Sequence, residues 1–187
     1  MPKLVCELII SLDGFAQGQR SPGYFGYFGP DFADWVGTNT ALPHRLLLGR
    51  RTYELLEGLP AEARDEGWEM MRTTPGWLFS RTLGATDWPA LSIVRDDLEG
   101  FVRDLKRKDG PELRTVGSLS LVRQLLRAGL VDRLRLVVCP LVLPHTGREP
   151  IFEGWPDLGF DLLSTRTLDG RVLLLEYRPA GAPPYGA

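Results

Sequence analysis

Short apolar runs alternate along the chain with segments in which apolar residues recur every three or four positions. The runs are typical of buried strands and cover residues 3–10, 46–48, 77–79, 91–94, 113–116 and 134–139. The clearest helical spacing is at Leu98, Phe101, Val102 and Leu105, with Asp96 or Asp97 as the N-cap. A second helix is predicted to open at residues 117–120 and to close near Gly129.

The last apolar runs predict a different local structure. Residues 160–167 and 171–177 flank the dipeptide Asp169-Gly170, which is a strong signal for a β-hairpin. Strands that alternate with helices and end in a hairpin predict a three-layer α/β/α sandwich around a mixed, mainly parallel sheet. We expect one domain over residues 1–178 and a flexible, proline-containing tail over residues 179–187.

Three less regular segments complete the pattern. Residues 15–30 are rich in glycine and aromatic residues, and this loop either forms a lid over a planar ligand or anchors itself to the core. A short helix is predicted over residues 31–36, with Asp31 as its N-cap. Residues 61–74 are expected to hold a loop and a short helix, and residues 140–150 a loop.

Composition and charge exclude several classes of function. The 187-residue chain has a net charge of -2, which argues against a nucleic-acid binder that relies on a basic surface. It lacks an apolar run of about 18 residues and a signal-peptide pattern, so we expect a cytoplasmic protein without membrane spans. Cys6 and Cys139 lie in apolar contexts and are expected to be free buried thiols, and no cysteine or histidine cluster has zinc spacing. A metal site is therefore not predicted.

The segments that follow three of the predicted strands carry residues suited to binding phosphate. These segments are Gly49-Arg50-Arg51-Thr52, Ser80-Arg81-Thr82 and Gly117-Ser118-Leu119-Ser120. Helix N-termini present free N–H groups, and arginine matches phosphate oxygens in a bidentate way. In a mainly parallel sheet the three segments lie on one edge and together predict a ligand with several phosphates. Taken alone, the segment Gly49-Arg50-Arg51-Thr52 is equally well a surface turn with solvated arginines, and no P-loop motif is present.

With these segments, the sequence resembles the riboflavin-biosynthesis pyrimidine reductase family, the reductase half of the bifunctional deaminase–reductase. The resemblance covers about residues 3–178 and rests on motifs in the family's order: Ser11-Leu12-Asp13-Gly14, residues 48–54, Ser80-Arg81-Thr82, Gly117-Ser118-x-x-Leu121-Val122 and residues 129–136. It implies a fold similar to that of dihydrofolate reductase. The H-x-E and P-C-x-x-C motifs of the deaminase half are absent from the sequence.

The resemblance also implies NADPH as cofactor. Gly49, Arg50, Arg51 and Thr52 would seat its pyrophosphate, and Ser80 with Arg81 would take the 2′-phosphate. The segment Gly117, Ser118, Leu119 and Ser120 would open the helix beside the cofactor. Ser118 departs from the family's pattern, because it replaces the second glycine of a pair and adds a Cβ at a close approach.

Two carboxylates are candidates for a catalytic role. Asp13 follows the first strand beside the implied nicotinamide position, and Asp34 lies on the helix that supplies the acid in dihydrofolate reductases. Their alternatives are a turn-forming side chain for Asp13 and a solvated helix face for Asp34. The resulting expectation is an NADPH-dependent reductase of a small heterocycle, with the ribosylaminopyrimidine of riboflavin biosynthesis as one candidate. A dihydrofolate-type reductase and a non-catalytic nucleotide-binding protein are the alternatives, and family members are often homodimers.

Overall fold

A computed structural model describes residues 1–185 of the chain. Its elements follow in chain order: β1 (Leu4–Ser11), β2 (Phe15–Gly18), α1 (Pro30–Ala41), β3 (His44–Gly49), α2 (Arg50–Glu57), α3 (Glu66–Thr73), β4 (Gly76–Phe79), β5 (Leu91–Val94), α4 (Leu98–Arg107), β6 (Glu112–Val116), α5 (Leu119–Arg127), β7 (Arg133–Cys139), β8 (Gly147–Pro150), β9 (Gly159–Leu168) and β10 (Val172–Gly181). Short 3₁₀ helices cover Gly23–Gly26 and Ala61–Ala63. The six strands, the hairpin, and the helices predicted around residues 98–105 and 117–129 are all present, whereas the helix predicted over residues 31–36 extends over Pro30–Ala41.

The main sheet has eight strands in the order β5-β4-β3-β6-β1-β7-β10-β9. The first six run parallel to one another, whereas β10 pairs antiparallel with β7 and β9 antiparallel with β10. The predicted mixed, mainly parallel sheet is therefore confirmed. Because the six parallel strands point the same way, their carboxyl ends all lie along one edge of the sheet.

Helices cover both faces of the sheet, and the side chains of β3 pack against helices on each face. Leu47 packs into a core cluster with residues of α4 and α5, while Leu46 and Leu48 pack with α2 and α3 on the opposite face. All three leucines are at most 2% exposed, as the uninterrupted apolar run predicted. Helix α1 covers the same face as α2 and buries Phe32 and Trp35 against β7 and β10. The three-layer arrangement is confirmed.

The β9–β10 hairpin also caps helix α1. Asp169 and Gly170 adopt left-handed conformations (φ 50° and 66°), as the two central residues of a type I′ turn require, and the Arg171 N–H closes the turn by donating to the Leu168 carbonyl at 3.1 Å. The Asp169 carboxylate accepts the N–H groups of Asp31 at 2.9 Å and Phe32 at 3.2 Å. The prediction that Asp31 is the N-cap is wrong: the N-cap is Gly29, and Pro30 begins the helix. Proline with its fixed φ suits this first position, and the capping carboxylate arrives from 138 residues away.

Two predicted loops contain a small second sheet. β2 pairs antiparallel with β8, with Gln17 opposite Arg148. The rest of the aromatic loop is anchored to the core, because the rings of Tyr24 and Phe28 lie 4.9 Å and 5.4 Å from that of Phe32. This packing agrees with the anchoring role considered above. The two strands escaped prediction because each has only four residues and is stabilised by a distant partner.

The carboxyl-terminal segment is more ordered than expected. β10 continues to Gly181, and Pro179 lies opposite Phe160 of β9. The prediction of a flexible tail is therefore wrong for residues 179–181, while residues 186–187 lie outside the described residues. Proline is tolerated at 179 because β10 pairs with β7 only as far as Tyr177, so the missing N–H interrupts no bond to β7.

Candidate functional site

A cavity of about 540 Å³ opens where β3, β4 and β5 end and α5 begins. Six of the residues predicted from the sequence line it together: Gly49, Arg50, Arg51, Ser80, Arg81 and Ser120. The remaining predicted positions, Thr52, Gly117, Ser118 and Leu119, are not on its wall. All three predicted segments therefore reach one region of the sheet edge, although only part of the third faces the cavity.

Two helices that begin at this cavity, α2 and α5, have no side-chain cap. Gly49 precedes α2 in an extended conformation, and neither Gly49 nor Ser118 caps its own helix with a side chain. The first N–H groups of a helix have no partner within that helix and carry its positive dipole end. Two such helix starts beside one cavity favour a negatively charged ligand.

Four arginines line the same cavity and strengthen its preference for a negatively charged ligand, and we call it the arginine cavity. Arg50 donates to the Thr82 hydroxyl at 3.0 Å, and Arg95 donates to the carbonyl of Leu83 at 3.0 Å. Arg51 is 84% exposed and lies 3.7 Å from Glu149 of β8. The Arg81 guanidinium has no hydrogen-bond or ion-pair partner within residues 1–185. It is free to bind an incoming anion.

Arg95 is a site residue that the sequence reading missed. It directly follows β5, whose carboxyl end lies on the same edge as those of β3 and β4. The strand itself was predicted, so the available signal was a cation immediately after a fourth parallel strand. Asp96 and Asp97 also line the cavity, but the Asp97 carboxylate is engaged as the N-cap of α4, where it accepts the Gly100 N–H at 2.9 Å. This settles the choice between Asp96 and Asp97 as cap.

Ser118 connects the N-termini of α2 and α5 by hydrogen bonds and does not line the cavity itself. Its hydroxyl accepts the Gly49 N–H at 2.8 Å, and its own N–H donates to the Thr52 hydroxyl at 3.0 Å. The two hydroxyls are also 3.0 Å apart. We call this group the Thr52–Ser118 link. The Ser118 side chain thus faces α2 and not the cavity, so the Cβ that departs from the family's pattern does not narrow the cavity.

This arrangement uses a strained backbone. Gly117 and Ser118 both have φ 56°, which a glycine adopts freely but which costs a serine about 1 kcal/mol. The side chain of Ser118 is only 8% exposed and its polar atoms are satisfied by the link. The hydrogen bonds to Gly49 and Thr52 therefore offset the strain.

The two predicted catalytic carboxylates do not line this cavity. Asp13 accepts the Ser11 hydroxyl at 2.6 Å and the Leu143 N–H at 2.7 Å. These hydrogen bonds, that from Ser11 foremost, hold the pKa of Asp13 below its usual value, so it is a carboxylate that fixes the loop after β7. Asp34 is solvent-exposed on α1. The structure does not bring Asp34 together with the arginine cavity.

Other reactive groups are buried away from the cavity. Cys6 and Cys139 are free and buried, as predicted, and burial raises the pKa of Cys6 to about 12 and that of Cys139 to about 11. Both thiols are protonated near neutral pH and are poor nucleophiles.

Among residues 1–185 no helix is long and apolar enough to cross a membrane.

The sheet with six parallel strands and the cationic cavity at the carboxyl ends of β3, β4 and β5 define an α/β protein with a candidate anion site at the edge of its sheet. A sequence profile of the family described as RibD C-terminal domain matches residues 2–174. The chain belongs to this family, the pyrimidine reductase domain.

Individual relatives are distant but similar in length or fold. The uncharacterized protein YyaP of Bacillus subtilis (strain 168) is 25% identical over 182 residues, which cover 94% of each chain. The structure of a pyrimidine reductase-like protein from Corynebacterium diphtheriae is 16% identical, with a TM-score of 0.67 over 95% of this chain and 92% of that one. RibD of Acinetobacter baumannii is also 16% identical, with a TM-score of 0.69 over 96% of this chain and 58% of that one. Both structures share the dihydrofolate reductase-like fold.

Proposed function

We propose that this protein is a reductase that transfers hydride from NADPH to a small heterocyclic substrate. The observation that carries the proposal is the convergence of Arg50, Arg51, Arg81 and Arg95 on one cavity beside two helix starts. Membership of the RibD C-terminal domain family supports the same reaction class. The ribosylaminopyrimidine of riboflavin biosynthesis is the first substrate to test, and dihydrofolate is the second.

The residues present fit a phosphorylated dinucleotide. Arg81 has no partner in the described chain and follows Ser80, which suits the 2′-phosphate. Arg50 and Arg51 lie at the start of α2, where a pyrophosphate would meet the positive end of the helix dipole. Phe79 and Leu98 provide apolar surface in the same cavity for a flat base. Bound NADPH would supply the hydride, and one further proton would complete the reduction.

The chain's own contribution is chiefly positioning. The Thr52–Ser118 link fixes the two helix starts relative to each other, and Asp13 fixes the end of β1 to the loop after β7. Because its pKa is lowered, Asp13 is ionised near neutral pH and accepts hydrogen bonds. We infer that Asp13 orients the site and that the proton comes from water or from another group.

The test is NADPH and NADH binding, followed by fluorescence, with wild type and Arg81→Gln. Losing a charged hydrogen bond costs about 1.5–3 kcal/mol, so the variant should bind NADPH roughly tenfold to a hundredfold more weakly. Its affinity for NADH, which lacks the 2′-phosphate, should change little. Arg103→Gln, an exposed arginine of α4, is the control. Absence of NADPH binding by the wild type would remove the proposal.

A second candidate is a nucleotide-binding protein without catalysis. It is favoured by the position of Asp13 and Asp34, neither of which lines the arginine cavity. Turnover assays with the pyrimidine substrate and dihydrofolate separate the two candidates. NADPH binding without oxidation across that panel would favour the second.

We also propose that two copies of the chain associate through the β9–β10 hairpin. β9 is an edge strand of ten residues, and Leu162, Leu163 and Leu173 are 55%, 42% and 39% exposed. A long apolar edge strand is a ready surface for pairing with another chain. Light scattering should give the mass of a dimer for wild type and that of a monomer for Leu162→Lys.

A further inference from the structure

A second cavity, of about 500 Å³, lies beyond the carboxyl ends of β1 and β7. Its volume falls within the range of small-molecule sites. Apolar side chains of Pro22, Phe25, Leu141 and Leu143 form most of its wall, and Arg20 and Thr146 contribute polar groups. It shares no lining residue with the arginine cavity.

Backbone hydrogen bonds hold the walls of this cavity in place. The carbonyl of Leu141 accepts the Leu12 N–H at 2.8 Å, and the N–H of Leu143 donates to Asp13 at 2.7 Å. On the other side, the carbonyl of Thr146 accepts the Gln19 N–H at 2.8 Å. The cavity is therefore preformed and tied to the end of β1, on the same sheet edge as the arginine cavity.

Phe25 is held in the wall at a conformational cost. Tyr24 and Phe25 both have φ 52°, a left-handed conformation that residues other than glycine rarely adopt. The surroundings maintain it, since the Tyr24 ring packs 4.9 Å from that of Phe32 and the Tyr27 hydroxyl donates to the carbonyl of Pro140 at 3.3 Å. Strained residues that their surroundings enforce cluster at ligand clamps. Here the strain presents an aromatic ring to the cavity.

The charge of the cavity is set by one residue. Arg20 is exposed and has no hydrogen-bond or ion-pair partner among residues 1–185. No aspartate or glutamate lines the cavity. Ser21, another lining residue, uses its hydroxyl internally, because it accepts the Gly18 N–H at 2.8 Å. A ligand therefore meets a mainly apolar wall, one unpaired cation, and the side chains of Gln19 and Thr146 as the remaining hydrogen-bonding groups.

We propose that the second cavity binds a flat, mainly apolar compound with a single negative charge that pairs with Arg20. That this compound is the one reduced rests on the proposed function; the binding itself does not. A sugar-phosphate substrate with several hydroxyls suits this wall less well, because hydroxyls buried against it would lose their hydrogen bonds to water. The cavity thus favours an aromatic or heteroaromatic acid as the substrate class.

The test uses 2-naphthoate and its neutral counterpart 2-naphthamide, titrated into the full-length protein without cofactor and followed by calorimetry. Wild type should bind the acid about threefold to fivefold more tightly than the amide, as expected for one contact with an exposed cation. Arg20→Gln should remove this preference, whereas Arg148→Gln, an exposed arginine on neighbouring β8, should retain it. Phe25→Ala should weaken both ligands in proportion.

Thermal unfolding of each variant shows whether it remains folded. Equal affinity of wild type for the acid and the amide, or an unchanged preference in Arg20→Gln, would overturn the inference. NADPH binding is measured separately on wild type and Arg20→Gln. Naphthoate binding without NADPH binding would uphold the cavity and refute the reductase. NADPH binding without naphthoate binding would overturn the inference about the cavity and retain the NADPH site of the proposed function.

Discussion

Removing one hydroxyl from the Thr52–Ser118 link tests whether this link positions the arginine cavity. In Thr52→Val the methyl group and overall shape are retained, but the Ser118 N–H loses the acceptor that lies 3.0 Å away. Ser118 is only 8% exposed, so water has little access to replace that acceptor. The Ser118 hydroxyl loses a partner at the same time. Thr52→Ser keeps the hydroxyl and is the matched control.

The expected magnitude follows from the cost of a buried donor without a partner, about 1–3 kcal/mol. For a chain of this size, such a loss corresponds to a decrease in melting temperature of between about 2 and 12 °C. Binding must then also restore the relative position of the two helix starts. If only about one molecule in ten keeps that arrangement, NADPH affinity falls about tenfold.

Urea denaturation and NADPH titration of both variants provide the assay. We expect Thr52→Val to lose stability and NADPH affinity, and Thr52→Ser to remain close to wild type in both. If Thr52→Val matched Thr52→Ser in stability and affinity, the link would have no positioning role. A loss of stability with unchanged affinity would leave the link as part of the fold only.

Three further predictions concern other contacts. Asp169→Ala should lower the free energy of unfolding by about 0.5–2 kcal/mol, because α1 loses the carboxylate that caps it, and urea denaturation measures this. A carboxylate oxygen of Glu176 lies 2.7 Å from a guanidinium nitrogen of Arg135. Burial raises the pKa of Glu176, but the hydrogen bond and the charge of Arg135 outweigh burial, so the pKa of Glu176 is lowered. Its stabilising contribution should be complete above the ordinary glutamate pKa and be lost as pH falls through the lowered folded value, so Glu176→Gln should flatten the acid side of the stability profile. Glu149→Gln should tighten NADPH binding by up to about fivefold at low salt, because the exposed Arg51 no longer has a competing carboxylate.

Two of these predictions have a control within the chain. Asp169→Asn keeps a capping oxygen and tolerates the left-handed turn, so it should lose less stability than Asp169→Ala. Glu69 pairs with Arg72 at the same 3.7 Å as Glu149 does with Arg51, but away from the cavity. Glu69→Gln should leave NADPH affinity unchanged. A gain in affinity from both glutamate variants would indicate a general effect of net charge and contradict the specific role of Glu149.

Local patterns in the sequence were sufficient for most of the architecture. The apolar run at residues 46–48 predicted a strand buried on both faces, because only a sheet covered by helices on both sides excludes water from three consecutive leucines. Asp169-Gly170 predicted the hairpin, because its turn needs two residues that tolerate positive φ. These features depend on neighbouring residues, so a linear reading can detect them.

The structural features that the sequence did not predict depend on contacts between residues far apart in the chain. The cap of α1 comes from Asp169, and β2 is paired with β8 about 130 residues later. Only the folded chain decides that Ser118 faces Thr52 and that Asp13 holds Leu143, because backbone dihedral angles and packing set these directions. The sequence by itself determined the order of strands and helices and the cationic residues at the strand ends. Tertiary structure decided which of those residues meet in a cavity, because side-chain direction depends on contacts that no local pattern contains.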